Sequence, residues 1–257
     1  MKLVASDIDG TILKKGAQQV DAETICAINK MMQKGVLFAP ASGRQITSLR
    51  RLFKDVNHEM IYICENGAFV KYKDKTLLKR TLEREIGIEI MKDIYQMPDC
   101  EILLSGEETS YLMPKTEQYL HRIRDVVKNN VQVITDFSQV KEEFIKISVC
   151  DLSGIANSRK HFEEKWADKI SVAVSGELYM DFTAPGVNKG SAIKEISKQF
   201  KIASEDIISF GDNYNDIEMF MESGTACVMK SAADEVKKYA NMETDSVAKT
   251  ICEIFSL

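Results

Sequence analysis

Short apolar runs alternate with stretches of helical periodicity over the first 80 residues. The apolar runs, at residues 3–5, 36–39 and 60–64, are typical of buried strands. Between them, apolar residues recur every three or four positions after Asp21 and after Gly43, the spacing of amphipathic helices. Strands that alternate with helices favour right-handed βαβ units and a parallel sheet.

The pattern changes in the middle of the chain and then returns. After a predicted hairpin over residues 68–80, residues 82–183 show helices and paired strands in the order of an α+β unit. Its predicted helices cover residues 83–95, 116–128 and 153–166, and its strands cover 101–104, 110–113, 131–135, 144–150 and a pair around 175–177. Helix and strand alternate again in the last part, with helices at 189–200, 215–222, 232–239 and 245–255 and strands at 207–210 and 226–229.

These patterns predict an α/β fold with an insertion. Residues 1–81 and 184–257 are expected to form one doubly wound, Rossmann-like parallel-sheet core, and residues 82–183 an inserted α+β domain. A length of 257 residues suits such a core with one elaborate insertion.

Composition excludes several classes of function. With 44% hydrophobic and 28% charged residues the chain is an ordinary globular protein, and its net charge of -5 with scattered basic residues argues against nucleic-acid binding. No run approaches the roughly 20 apolar residues of a membrane span. The 6 cysteines show no C-x-x-C pair, which disfavours a zinc site and, with no signal-peptide pattern, indicates a reducing, cytoplasmic location. The oligomeric state is not predicted.

Two carboxylates follow the first predicted strand. Asp7 and Asp9 stand one residue apart before Gly10-Thr11. In open α/β sheets ligands bind outside the carboxyl ends of the strands, so two acids there suggest a metal or proton-transfer site. The alternative is an Asp-Gly turn with a spare acid.

Three more polar clusters occupy comparable places. They are Ser42-Gly43-Arg44, Asn188-Lys189-Gly190-Ser191, and Gly211-Asp212-Asn213-Tyr214-Asn215-Asp216. Taken singly, Ser42 and Asn188 are good helix caps, and Asp216 suits the dipole of a first helical turn. A doubly wound sheet would bring all four clusters to one edge, where their carboxylates, a lysine and a hydroxyl would meet.

In this order the four clusters resemble the motifs of the haloacid dehalogenase superfamily. The insertion between the second and third motifs is similar to that of the Cof-type hydrolases, which carry an α/β cap of the C2B kind. The resemblance spans nearly the whole chain, and Ser42 stands where many members have threonine.

The resemblance implies a phosphatase mechanism. Asp7 would attack phosphorus and form an aspartyl-phosphate, while Asp9 would protonate the leaving oxygen and then deprotonate water. Mg2+ would be bound by Asp7, Asp212 and the main-chain carbonyl of Asp9, with support from Asp216. The phosphoryl oxygens would be held by Ser42, the amides of Ile8 and Gly43, Lys189 and Asn215.

The expected substrate is a small phosphorylated metabolite: a sugar phosphate, a nucleotide or a phosphorylated cofactor. The inserted domain, residues 82–183, would act as a substrate lid. Glu65-Asn66-Gly67 would face the leaving group or form a plain hairpin turn. Two alternatives stay open at this stage, a phosphomutase and a sensor that binds a phosphometabolite without hydrolysing it.

Overall fold

A computed structural model describes residues 1–14 and 17–257. Contacts within the chain divide it into two units. The core unit comprises Met1–Arg44, Leu49–Leu78 and Asn188–Leu257, and the inserted unit comprises Gln45–Ser48 and Lys79–Val187. The domain limits after residues 81 and 183 stay a prediction.

The elements are numbered along the chain. The strands are β1 (Leu3–Ser6), β2 (Leu37–Pro40), β3 (Ile61–Cys64), β4 (Phe69–Tyr72), β5 (Lys75–Lys79), β6 (Cys100–Ser105), β7 (Ser110–Leu112), β8 (Val131–Val133), β9 (Lys146–Asp151), β10 (Ser171–Val174), β11 (Tyr179–Thr183), β12 (Ile207–Gly211), β13 (Thr225–Met229) and β14 (Met242–Thr244). The α-helices are α1 (Ala22–Gln33), α2 (Ile46–Leu52), α3 (Arg84–Gln96), α4 (Glu117–His121), α5 (Ile155–Trp166), α6 (Lys189–Phe200), α7 (Ile217–Met221), α8 (Asp234–Lys237) and α9 (Val247–Phe255).

A parallel sheet forms the centre of the core unit. Its strand order is β14-β13-β12-β1-β2, so the winding reverses between β1 and β12. In doubly wound sheets the crevice outside the carboxyl ends at such a reversal binds ligands. Asp7 directly follows β1, and Asp212 directly follows β12.

The two strands at the reversal are buried along their whole length. Near-continuous burial is typical of parallel strands covered on both faces. Leu3 of β1 and Ile207 of β12 pack in one apolar cluster with Ile193 and Ile196 of α6, while α1 packs against β2 and α9. This packing fixes the strand ends that carry the acidic residues.

A separate three-stranded sheet, β3-β4-β5, belongs largely to the core unit. β3 and β4 pair in antiparallel fashion, and a single parallel bridge joins Ala41 to Ile63. The hairpin predicted over residues 68–80 is confirmed by β4 and β5.

The inserted unit contains a six-stranded sheet in the order β10-β11-β9-β6-β7-β8. Its strands pair in antiparallel fashion except for β7 and β8. Ile147 and Val149 of β9 pack in one cluster with residues of α3 and α5. Because side chains alternate along a strand, Lys146 and Ser148 project from the other face.

The predicted fold class, α/β with a parallel-sheet core and an inserted α+β part, is confirmed. Several details differ. The strand predicted over residues 60–64, expected in the parallel sheet, lies in the separate sheet β3-β4-β5 and has only the parallel bridge from Ile63 to Ala41. β14 was not predicted; the helix predicted over residues 116–128 widens after His121 into a π-helical turn, Arg122–Val126; and α7 and α8 are shorter than expected. Among the described residues, no helix is long and apolar enough to cross a membrane.

Candidate active site

Three carboxylates converge at the strand reversal of the core unit. Asp7, Asp212 and Asp216 each offer one oxygen, and these oxygens lie within 4.8 Å of one another. Asp216 ends the short 3-10 turn Tyr214–Asp216 that follows β12. Parallel strands with a common carboxyl edge therefore bring together acids that are about 200 residues apart in the chain.

Lys189 lies among these acids. Its Nζ donates to Asp7 Oδ1 (2.5 Å) and to Asp216 Oδ1 (2.6 Å), and its side chain is fully buried. Lys189 is the first residue of α6, which Asn188 caps: Asn188 Oδ1 accepts from Ser191 N (2.7 Å), and Ser191 Oγ accepts from Asn188 N (3.1 Å). This capping box fixes where the helix begins, and so fixes the origin of the lysine side chain.

Backbone and hydroxyl donors orient the other two acids. Asp216 Oδ2 accepts from the amides of Asp212 (3.0 Å) and Asn213 (3.1 Å), and Asp212 Oδ1 accepts from Thr11 Oγ1 (3.0 Å). The chain passes close to Asp212 at Gly10, whose φ is +104° and where a Cβ would overlap the Asp212 carboxylate. Only glycine fits this approach.

Negative charge is in excess at this cluster. Burial raises the pKa of Asp7 to about 8; Lys189 opposes this shift, and Asp216 and Asp212 add to it. Burial and Asp216 likewise raise the pKa of Asp212. Burial alone would lower the pKa of Lys189, but Asp216 and Asp7 outweigh it and raise that pKa. One ammonium group therefore does not balance three carboxylates.

The residues present fit a divalent cation. Among residues 1–14 and 17–257, no hydrogen-bond partner is found for the buried Asp7 Oδ2. Hard carboxylate oxygens are the donors that Mg2+ prefers. A cation at this cluster would give Asp7 Oδ2 a partner and offset the excess charge. The site thus contains an acidic cluster suited to a divalent metal.

The second motif lies between β2 and α2. Ser42 is buried, and its Oγ accepts from the amide of Arg44 (3.3 Å). A Cβ at Gly43 would lie 3.1 Å from Asn66 Oδ1, and that same oxygen accepts from Asn215 Nδ2 (3.4 Å). Asn66 therefore links two segments that were predicted to bind phosphate.

Glu65-Asn66-Gly67 forms a tight 3-10 turn after β3. Glu65 and Asn66 have φ values of 50° and 55°, and a Cβ at Gly67, with φ of 100°, would overlap the carbonyl of Asn188. The turn thus packs against the start of α6. Of the two predictions for this segment, the structure supports a turn, with the added feature that Asn66 contacts the site.

Asp9 and Ile8 differ from the buried acids. Ile8 is buried and its carbonyl accepts from Leu13 N (2.7 Å). Asp9 is exposed and its carboxylate is paired with Arg44. The roles expected for Ile8, Asp9, Ser42, Gly43 and Asn215 in binding and catalysis stay predictions.

The sequence analysis gave no role to Thr11 or Arg44, and it offered Asn66 only as part of a segment that would face the leaving group or form a turn. Thr11 follows Asp9 by two residues and Arg44 follows Ser42 by two residues, so their places in the motifs could have indicated both. Asn66 lies 149 residues from its partner Asn215, and only the folded chain joins them.

Comparison with known proteins shows the family of this chain. The profile of the haloacid dehalogenase-like hydrolases matches residues 4–250. The chain belongs to this family, as its motifs predicted, and it is a phosphatase of the haloacid dehalogenase type.

Particular relatives cover almost the whole chain. The 5-amino-6-(5-phospho-D-ribitylamino)uracil phosphatase YbjI of Escherichia coli is 25% identical over 248 residues, 96% of this chain and 91% of the relative. The phosphatase YcsE of Bacillus subtilis, named for the same substrate, is 26% identical over 257 residues, 98% of this chain and 94% of the relative. A crystal structure from Eubacterium rectale has a TM-score of 0.87 at 25% identity and covers 99% of both chains.

Proposed function

We propose that this protein is a Mg2+-dependent phosphatase that hydrolyses a small phosphorylated metabolite through an aspartyl-phosphate on Asp7. One observation carries the proposal: the buried ammonium group of Lys189 lies between Asp7 and Asp216, beside Asp212, where the winding of the sheet reverses. Phosphoryl transfer depends mainly on positioning and electrostatic stabilisation, and this cluster combines a nucleophile with fixed charges.

The metal ligands in this proposal are the carboxylates of Asp7 and Asp212 and the main-chain carbonyl of Asp9, with Asp216 in support. When bound, Mg2+ supplies positive charge that neutralises the phosphoryl oxygens. Asp216 already accepts from the amides of Asp212 and Asn213, so it also orients the loop that carries Asp212.

The chain's own residues then perform two displacements. A carboxylate oxygen of Asp7 forms a bond to phosphorus while the bond to the leaving oxygen breaks, and Asp9 gives that oxygen a proton. Asp9 next takes a proton from water, whose oxygen attacks phosphorus. Inorganic phosphate leaves and the Asp7 carboxylate is restored.

The phosphoryl oxygens are held by donors around the cluster. We assign this role to Ser42, to the amides of Ile8 and Gly43, to Lys189 and to Asn215. The buried position of Ser42 and the link from Asn215 through Asn66 to the Gly43 loop support the assignment. Donors held in place before the reaction need no reorganisation as charge develops.

The relatives guide the choice of substrate. Two of them, from different bacteria, are named for a ribityl phosphate, so a phosphorylated sugar or sugar alcohol is the first class to examine, with nucleotides and phosphorylated cofactors next. We assign recognition of the rest of the substrate to residues 82–183. A cytoplasmic location also belongs to the proposal, supported by the 6 free cysteines.

The experiment is a phosphate-release assay on the purified protein. With 4-nitrophenyl phosphate we expect turnover that requires Mg2+ and stops in EDTA. A panel of 5-amino-6-(5-phospho-D-ribitylamino)uracil, sugar phosphates and nucleotides then ranks substrates by kcat/KM. Full turnover in EDTA would refute the metal requirement. Isomerised ester without inorganic phosphate would indicate a phosphomutase, and no turnover of any compound would refute hydrolysis.

A further inference from the structure

The guanidinium group of Arg44 donates hydrogen bonds to both carboxylate oxygens of Asp9. Arg44 Nε donates to Asp9 Oδ2 (2.8 Å), and Arg44 Nη2 donates to Asp9 Oδ1 (2.6 Å). Two parallel hydrogen bonds of this kind fix the plane of a carboxylate as well as its position. Each oxygen of Asp9 keeps a second lone pair for a proton.

The backbone of Arg44 is itself held on two sides. Its amide donates to Ser42 Oγ (3.3 Å), and its carbonyl accepts from the amide of Glu65 (3.2 Å). The guanidinium group therefore extends from the loop that carries Ser42 and Gly43. A carboxylate paired with this guanidinium group therefore has a fixed position relative to the proposed phosphate-binding loop.

Stability does not explain this pair well. The Arg44 and Asp9 side chains are 27% and 53% exposed, so solvent screens this pair and it stabilises the fold less than a buried pair would. A proton donor, in contrast, must be placed to within a fraction of an ångström of the atom that it protonates. Asp9 is the exposed acid of the site, so surrounding packing holds its carboxylate less than it holds the buried acids. A hydrogen-bonded partner therefore matters most for its orientation.

We propose that Arg44 is a positioning residue for Asp9, which rests on the proposed phosphatase function. Arg44 holds the Asp9 carboxyl so that its proton passes to the leaving oxygen when the phosphorus–oxygen bond breaks. In the second displacement the same orientation directs an Asp9 lone pair to a proton of the attacking water. Arg44 itself neither gains nor loses a proton and touches no reacting atom.

Two matched esters test this role. Phenyl phosphate and 4-nitrophenyl phosphate differ only in the nitro group, which makes the departing phenolate a far weaker base that needs no proton. Since kcat/KM reports the steps up to leaving-group departure, help from Asp9 matters more for phenyl phosphate. Arg44→Met keeps the alkyl part of the side chain and removes the guanidinium group. Arg44→Lys keeps the positive charge but cannot donate the two parallel hydrogen bonds.

We expect Arg44→Met to lower kcat/KM about 10²-fold for phenyl phosphate and less than about 10-fold for 4-nitrophenyl phosphate. Arg44→Lys should fall between Arg44→Met and wild type, and Asp9→Asn should show the same dependence on the ester. Inhibition by inorganic phosphate should stay unchanged in Arg44→Met. Arg51→Ala, at an exposed position of α2, serves as the matched control and should keep wild-type values.

Other outcomes would overturn the proposal in recognisable ways. Equal losses for the two esters, with weaker inhibition by phosphate, would make Arg44 a phosphate ligand. Equal losses with a lower thermal midpoint would make its role structural. If the wild type hydrolyses neither ester, the proposed function itself fails; if the wild type is active and the two esters respond equally, only the role of Arg44 fails.

Discussion

Each unit of the chain contains a buried lysine, and the two lysines differ in the number of carboxylates around them. Lys189 of the core unit contacts Asp7 and Asp216, and Asp212 completes the same acidic cluster. Lys146 of the inserted unit pairs with Asp181 (3.2 Å), whose other oxygen accepts from Ser148 Oγ (2.6 Å). Both lysine side chains are nearly inaccessible, at 0% and 6% exposed.

The difference lies in the balance of charge. A buried pair of one cation and one anion is close to neutral in its effect on stability when both members are present. A buried group with more carboxylates than ammonium groups has a cost that folding alone does not explain, and such perturbed clusters mark functional sites. This difference supports the proposed catalytic role of Lys189, and we expect Lys146 to act mainly in stability.

The largest effect is expected from Asp7→Asn. The amide cannot form the acyl phosphate, so turnover of 4-nitrophenyl phosphate should fall by at least about 10⁴-fold. The substitution also removes one of the crowded carboxylates, so the thermal midpoint should stay equal or rise. Phosphate release and thermal unfolding measured on one preparation check both statements. Activity near that of the wild type would remove Asp7 as the nucleophile.

Lys189→Met tests the catalytic role proposed for the buried lysine of the core unit. The loss of a preorganised charge on the phosphoryl group should lower kcat by about 10²- to 10³-fold. The remaining carboxylates lose their buried cation, so the thermal midpoint should fall, and Mg2+ should recover part of that fall because it binds the folded state. The measurements are kcat at saturating substrate and thermal midpoints with and without Mg2+. A kcat within about threefold of the wild type would contradict the assignment.

The position of Lys189 illustrates what local sequence could predict. Asn188 is a strong N-cap, so the start of α6 and the site of its first lysine followed from the sequence. The edge shared by Asp7 and Asp212 followed from alternating strands and helices, because parallel strands of one sheet share a carboxyl edge.

Other features depend on contacts that sequence patterns do not encode. Arg44 and Asp9 form a pair across 35 positions of the chain, and that pairing required knowledge of side-chain directions. β14 is a short edge strand whose first two residues are exposed, so the sequence contains no apolar run that would predict it. The π-helical turn after His121 replaces ordinary helical hydrogen bonds with a wider one from Val127 N to Arg122 O (2.9 Å).

Lys146→Met tests the structural role expected for the buried lysine of the inserted unit. It leaves Asp181 buried without its ammonium partner, and breaking such a pair costs about 3 kcal/mol in the free energy of unfolding. Replacing both members, as in Lys146→Met with Asp181→Leu, should recover most of that loss. The kcat for 4-nitrophenyl phosphate should stay within about threefold of the wild type. A fall in kcat as large as that of Lys189→Met would show that Lys146 also acts in catalysis.

The smallest effect is expected at Asp93 of α3. Its carboxylate accepts from Lys165 Nζ (2.6 Å) and Trp166 Nε1 (2.9 Å) and contacts His161 Nε2 (3.0 Å). Burial alone would raise the pKa of Asp93, but Lys165, Trp166 and His161 outweigh it and lower that pKa below its ordinary value of 3.8. Asp93→Asn should therefore cost about 2 kcal/mol in the free energy of unfolding at neutral pH.

The pH dependence gives this prediction its sign. A carboxylate whose pKa is depressed in the folded state contributes stability that is fully present above its unfolded pKa and is lost as the pH falls through the folded pKa. The difference between wild type and Asp93→Asn should thus narrow below about pH 4, as the carboxylate becomes protonated. Urea unfolding at several pH values measures it. A difference that stayed constant down to pH 3 would mean that packing around Trp166, and not the ionised carboxylate, is what Asp93 supports.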